Sequence, residues 1–156
     1  MIRRIIILCT GNICRSPMAA AVLESALADG RETSAAGHDG VVAVSSAGLG
    51  ALVGYPADDC AIRLLHARGL DISTHRARAF DGALGLAHDL ILTMTLEQRY
   101  HVERRWPLLQ GRVFVLGCWN DVEIEDPYRR GDKAFRKALS DIDRCVAPWL
   151  PRILAQ

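Results

Sequence analysis

The feature that most restricts this chain is the stretch Cys9-Thr10-Gly11-Asn12-Ile13-Cys14-Arg15-Ser16-Pro17 together with what flanks it. Residues 2–8 are continuously apolar and read as a strand buried on both faces, the pattern of a parallel sheet. Residues 18–28 are alanine-rich and read as a helix, with Ser16 as its N-cap, Pro17 at its first position and Gly30 as its C-cap. No proline interrupts residues 10–15, so each supplies a backbone N–H, and Gly11 and Asn12 tolerate the positive φ that a tight turn needs. N–H groups curled at the start of a helix cradle an anion. A thiol at the base of that cradle and a guanidinium at its rim point to phosphate chemistry.

The rest of the chain alternates strand and helix patterns. Residues 41–46, 89–94 and 112–117 read as further strands. Helical spacing recurs over 57–68 (stopped by Gly69), over 81–87, over 96–105, and from Asp132 along the stripe Phe135, Leu139, Ile142, Val146 and Trp149. Pro148 and Pro151 are expected to bend or end that last helix. Residues 31–40 and 49–56 read as loops, 72–80 as a polar, basic connection, and 118–131 as a long acidic loop. The class is therefore α/β with a parallel sheet. Ligands of such sheets bind beyond the carboxyl ends of the strands. Cys9, Ser46 and the segment after Gly117 all fall at that edge.

Composition narrows the function classes. A chain of 156 residues, half of them hydrophobic, suffices for one domain with a core. A net charge of +1 offers no bulk attraction for nucleic acid or an anionic membrane. Of the 19 basic residues 17 are Arg; the Arg fork suits oxyanions, although an alanine-rich chain reads first as compositional bias. No apolar run approaches the roughly 18 residues of a membrane span, and the N-terminal one is too short for a signal peptide, so the protein is expected in the cytoplasm. Five cysteines, odd in number and without paired C-x-x-C spacing, argue against a disulfide framework or a zinc site. Cys60, Cys118 and Cys145 lie in apolar contexts and are expected in the core.

Neither G-x-G-x-x-G nor G-x-x-x-x-G-K-[ST] occurs, which leaves the Cys9 loop as the phosphate site. The N–H cradle, Arg15 and a hydrogen bond from Ser16 favour the thiolate of Cys9. Arg15 suits a bidentate grip on two phosphate oxygens. Cys9 could then attack phosphorus in line and form a cysteinyl-phosphate. The leaving oxygen needs a proton, and the acidic loop offers Asp121, Glu123, Glu125 and Asp126. Asp126 is chosen because Pro127 stiffens its backbone and Tyr128 beside it can stack on an aromatic substrate; a plain Asp-Pro turn explains the same spacing. Cys14 is near enough in sequence to form a reversible disulfide with Cys9, or it simply packs the loop. His75 reads as structural support before it reads as a base.

On these residues the chain resembles the low-molecular-weight protein tyrosine phosphatases. The likeness rests on Cys9 to Pro17, Ser45-Ser46-Ala47-Gly48, Asp89-Leu90-Ile91-Leu92-Thr93-Met94 and Asp126-Pro127-Tyr128, and it spans nearly the whole length. Residues 46–54 further resemble bacterial members found with capsule and exopolysaccharide export systems. The resemblance implies one domain over residues 1–156: a three-layer α/β fold, a four-stranded parallel sheet with helices on both faces, and no metal or organic cofactor. It makes Cys9 the nucleophile, Arg15 the phosphate binder, and Asp126 the general acid and then the base. Thr10, Gly11, Asn12, Ile13, Cys14 and Ser16 would surround the phosphate, with Ser16 stabilising the thiolate. Asn12 would hold the turn through a network with Ser46 and His75. Leu49 and Tyr128 would wall the pocket. The implied partner is a phosphotyrosine protein, by analogy a bacterial tyrosine autokinase of polysaccharide export. Nucleic acid and membrane insertion are not implied, and a monomer is expected. Arg129 stands where many members carry a second tyrosine, which weakens any case for regulation by a phosphorylated tyrosine pair. A thioredoxin-coupled arsenate reductase of the same fold would need two further cysteines, and residues 61–117 contain none. A non-enzymatic phosphate-binding module would need no coincidence of Cys9, Arg15 and Asp126.

Overall fold

A computed structural model of the chain describes residues 1–32 and 40–155. Four strands, β1 (Arg4–Cys9), β2 (Ala43–Gly48), β3 (Leu90–Thr93) and β4 (Val113–Val115), form one parallel sheet in the order β2-β1-β3-β4. The helices are α1 (Arg15–Glu32), α2 (Asp59–His66), α3 (Gly82–Leu86), α4 (Leu96–Arg105), α5 (Asp132–Val146) and α6 (Trp149–Leu154). Alternation along the central strand separates two cores. Ile5, Ile7 and Cys9 pack with α1, α2, α5 and α6 on one face, while Ile6 and Leu8 meet Phe80, Val102 and Leu109 on the other. Each fully buried Ile or Leu of β1 contributes about 1.5–3 kcal/mol through removal from water. This is the three-layer architecture expected.

The boundaries differ where tertiary contacts outweigh local signals. Helix α1 begins at Arg15, which places Ser16 inside the first turn and not at the N-cap. Gly30 does not end α1, which runs on to Glu32. A Cβ there would lie 2.7 Å from Leu154 Cδ1, so this glycine admits α6 against α1. The rest of the expected 31–40 loop, apart from Gly40, lies outside the described residues. Helix α4 has the expected limits because Thr95 and Gln98 close a reciprocal capping box. Asp81 likewise caps α3 by accepting from the Leu84 N–H. Pro148 separates α5 from α6, and the stripe Phe135, Leu139, Ile142 and Val146 is buried as the spacing requires. Cys145 is core, Cys60 is only partly buried, and Cys118 is exposed, contrary to expectation, because it sits in the turn that leaves β4. Among the described residues no helix is long and apolar enough to cross a membrane.

Gly117 launches the acidic loop. The N–H groups of Asn120 and Val122 both donate to its carbonyl, at 3.0 and 3.1 Å. A Cβ at this position would run into the Val122 carbonyl, which is backbone and cannot swing away. Gly117→Ala is expected to cost about 1–3 kcal/mol of unfolding free energy in urea titration by overpacking this turn. An unchanged midpoint and slope would show that the turn relaxes freely.

Candidate active site

The turn between β1 and α1 is held from outside. The Cys9, Thr10 and Gly11 carbonyls accept from the Leu49, Gly50 and Leu52 N–H groups at 2.9, 3.0 and 3.1 Å. The Asn12 carbonyl faces His75 Nε2 at 2.6 Å. The Ile13 and Cys14 carbonyls accept from the Asp58 and Met18 N–H groups at 2.8 and 3.3 Å. In a trans peptide the N–H points opposite to the preceding C=O. Six consecutive outward carbonyls therefore turn the N–H groups of residues 10–15 inward. They face a pocket of about 190 Å³ lined by Cys9, Thr10, Gly11, Ile13, Cys14, Arg15, Gly50, Leu52, Asp126 and Tyr128.

Asn12 makes the turn possible. Its φ is +58°, a left-handed conformation that asparagine tolerates better than most residues. It is fully buried, and its Nδ2 donates to Ser16 Oγ at 2.8 Å and to Ser46 Oγ at 3.0 Å. Its Oδ1 accepts from the Arg78 N–H at 2.9 Å. Because Ser16 Oγ already accepts from Asn12, its own proton is free for the Cys9 sulfur 2.9 Å away. A hydrogen bond of that sense aims a donor at the sulfur at the base of the turn. Ser16, read from sequence both as a cap and as a donor to Cys9, lies against the sulfur and does not cap α1. Cys14 is in a different state: burial first, then the Asp58 carboxylate, pushes its thiol well above the ordinary value. It is protonated at neutral pH.

Arg15 joins the turn to the acidic loop. It is 4% exposed, and its Nη1 donates to the Ile124 carbonyl at 2.9 Å. Its Nη2 lies 3.7 Å from Asp126 Oδ2. Among the described residues, its Nε is a buried nitrogen with no hydrogen-bond partner. The acidic loop is clamped just before Asp126: Ile124 donates to the Met94 carbonyl at 3.1 Å, and Glu123 accepts from the Leu96 N–H at the start of α4. The Asp126 side chain is 53% exposed, and its Oδ1 accepts from the Tyr128 N–H at 3.1 Å. Asp121, Glu123 and Glu125, the other carboxylates considered, do not line the pocket.

Most of the residues singled out in the sequence are thus brought together, and Leu49 is placed differently. Leu49 does not line this pocket: it packs on the Ile6 and Leu8 face and lines the adjoining cleft, which shares Thr10, Arg15 and Gly50 with the pocket, while Leu52 and Tyr128 both line the pocket itself. His75 is a support: a carbonyl offers only lone pairs, so its Nε2 carries the proton it gives to Asn12. Sequence reasoning missed Arg78, whose N–H holds Asn12 and whose Nε holds the Ser46 carbonyl at 3.0 Å. It also missed Gln98, whose Nε2 reaches Thr10 Oγ1 at 3.3 Å. The Thr95-x-x-Gln98 spacing was a visible sign of the capping box, but nothing local pointed to Thr10.

The family model described as low molecular weight phosphotyrosine protein phosphatase matches residues 4–156. A probable low molecular weight protein-tyrosine-phosphatase, EpsP of Ralstonia solanacearum, is 45% identical over 155 residues, covering 99% of both chains. The low molecular weight protein-tyrosine-phosphatase Wzb of Escherichia coli K12 is 35% identical over 100% of this chain and 99% of its own. The crystal structure of the tyrosine phosphatase Wzb from Escherichia coli K30 in complex with sulphate superposes with a TM-score of 0.84 at 33% identity, covering 98% of this chain and 99% of that one.

Burial, opposed by the hydrogen bond to Asn12 and reinforced by Arg76 and Arg78, holds the His75 pKa below its ordinary 6.5. Below 6.5 the unfolded chain takes up a proton that the folded chain refuses, so stability falls as pH falls through that window. His75→Gln keeps an N–H donor for Asn12 and removes the titration. Between pH 7 and about 5.5 the Tm of the wild type is expected to fall more steeply than that of His75→Gln. Parallel slopes would remove His75 from the pH response.

Proposed function

This chain belongs to the low-molecular-weight phosphotyrosine protein phosphatases, and from that premise we propose that Cys9, Arg15 and Asp126 carry its hydrolysis of phosphotyrosine in proteins. The observation that carries this assignment is Arg15: a buried guanidinium with an unpaired Nε, fixed at the rim of the N–H cradle and 3.7 Å from the Asp126 carboxylate. A buried donor left unpaired is costly, and a phosphoryl oxygen is the partner that its position suits.

In the first step the Cys9 thiolate attacks phosphorus in line with the tyrosyl oxygen. The S–P bond forms, the P–O bond to the tyrosyl oxygen breaks, and Asp126 gives its proton to the leaving phenoxide. The inward N–H groups of residues 10–15 and the Arg15 fork hold the equatorial oxygens as charge redistributes among them. In the second step the Asp126 carboxylate takes a proton from water, the oxygen attacks phosphorus, and the P–S bond breaks. Inorganic phosphate leaves and Cys9 returns as the thiolate. Asn12, Ser46 and His75 act through the loop's shape, and Ser16 acts on the sulfur. Leu52 and Tyr128 supply apolar walls for the ring. The substrate on this reading is a tyrosine autokinase of polysaccharide export, supported by the full-length similarity to EpsP and Wzb.

Cys9→Ser is expected to show no measurable turnover of a phosphotyrosine peptide. Asp126→Ala should lower kcat about 10²–10⁴-fold on that peptide, and less on p-nitrophenyl phosphate, whose leaving group needs little protonation. Full turnover by Cys9→Ser would rule out the covalent route. Equal losses on both substrates would remove Asp126 as the acid. A deletion strain should accumulate tyrosine phosphate on such a kinase, and an unchanged phosphoproteome would reject that substrate.

A further inference from the structure

Gln98 is a buried polar side chain, 9% exposed, and both ends of its amide are engaged. Its Oε1 accepts from the Met94 N–H at 2.9 Å and the Thr95 N–H at 3.3 Å. Two N–H donors at one end identify that end as the oxygen, so the nitrogen faces Thr10 Oγ1, 3.3 Å away. The capping box of α4 accounts for the bond from Thr95. It does not account for Met94 or for Thr10.

Those two contacts fall on the two parts of the site that must be held in register. Thr10 supplies the first N–H of the phosphate cradle, and its carbonyl is fixed by the Gly50 N–H. Met94 carries the acidic loop: its carbonyl accepts from the Ile124 N–H at 3.1 Å, and Leu96 donates its N–H to Glu123. Asp126 follows two residues after Ile124. The sheet itself does not join these parts. The last registered pair of β1 and β3 is Leu8 with Thr93, and beyond it one strand leads into the cradle and the other into α4. Gln98 spans that divergence, 88 residues from Thr10 in the chain.

Arg15 is a second tie between the same parts, through Nη1 and the Ile124 carbonyl at 2.9 Å. Arg15 also has the phosphate to grip. Gln98 does not line the phosphate pocket; it lines the adjoining cleft with Thr10. No phosphoryl oxygen competes for its amide.

Resting on the function proposed above, we infer that Gln98 is a positioning residue for proton transfer: through Thr10 on one side and Met94 on the other, it sets the distance at which Asp126 faces the leaving oxygen. The more basic that oxygen, the more its departure depends on the proton. Loss of the strut therefore falls on substrates with basic leaving groups and spares those with acidic ones. A misplacement of about 1 Å is enough to cost on the order of 10²-fold where placement limits the rate.

The test compares kcat/KM of the full-length protein on phenyl phosphate and on p-nitrophenyl phosphate, phenol being the far more basic leaving group. Thr10→Val removes the hydroxyl that Gln98 holds and leaves the capping box whole. It is expected to lower kcat/KM about tenfold more on phenyl phosphate than on p-nitrophenyl phosphate. Gln98→Ala should show the same selective loss, and the double variant no larger one than either alone, because both cut a single strut. Thr95→Ala uncaps α4 without touching Thr10. It should lower the Tm and leave the ratio between the two substrates as in the wild type. A wild-type ratio in Thr10→Val or in Gln98→Ala, selective losses that multiply in the double variant, or the same change of ratio in Thr95→Ala would each overturn the inference. Failure of the site assignment would show separately, as equal losses on both substrates in Asp126→Ala.

Discussion

Six backbone carbonyls, from Cys9 to Cys14, are turned outward and satisfied by partners in other parts of the chain. The inward N–H groups, the position of the sulfur and the course of two flanking loops all follow from that arrangement. The partners come from the 49–52 loop, from Asp58, from His75 and from α1 itself. An isolated turn of this sequence would have no reason to point its carbonyls one way. The sheet supplies the reason by ending β1 at Cys9 opposite Gly48 of β2 and by bringing the strap at Arg78 and Ala79 alongside. Asn12 then links backbone and side-chain order, since the residue that accepts the left-handed φ also fixes Ser16, Ser46 and Arg78.

The acidic loop is tied to the same frame by fewer contacts. Ile124 is gripped on one side by Arg15 and on the other by Met94, and Glu123 is gripped by the start of α4. Gln98 closes the circuit by bracing Thr10 while its Oε1 caps the Met94 and Thr95 N–H groups. The separation of Asp126 from the phosphate cradle is therefore set at the junction of β3 and α4. Beyond that clamp Asp126 and Tyr128 are exposed, which suits the acid and base role proposed for Asp126. Arg129, with φ +58° and its guanidinium 5.0 Å from the Tyr128 ring centre, covers that ring.

Much of this was legible in the residues. Continuous apolar runs announced buried parallel strands, helical spacing over 96–105 announced α4, and the proline-free turn after β1 announced an anion site. What was hidden depended on partners distant in sequence. Ser16 has the local credentials of an N-cap as well as the contact with Cys9 expected of it; the start of α1 at Arg15 removes the first reading, and Asn12 proves to be a partner the sequence did not announce. Gly30 reads as a stop until Leu154 is seen against it. Leu49 and Leu52 both donate their N–H groups to the turn, yet Leu52 lines the pocket and Leu49 the adjoining cleft, a difference that no local signal announces. Arg78 contributes through its N–H, which every non-proline residue has, so its side chain gave no warning.

On the proposed mechanism the sulfur at the base of the cradle becomes covalently phosphorylated. Rapid acid quench of Asp126→Ala during turnover of a phosphotyrosine peptide, followed by mass spectrometry of the intact chain and its fragments, tests this directly. The account predicts one added phosphoryl group on Cys9, absent in Asp126→Ala combined with Cys9→Ser. A quenched enzyme that turns over its substrate with no phosphoryl group on Cys9, or with the group on Cys14, would contradict it.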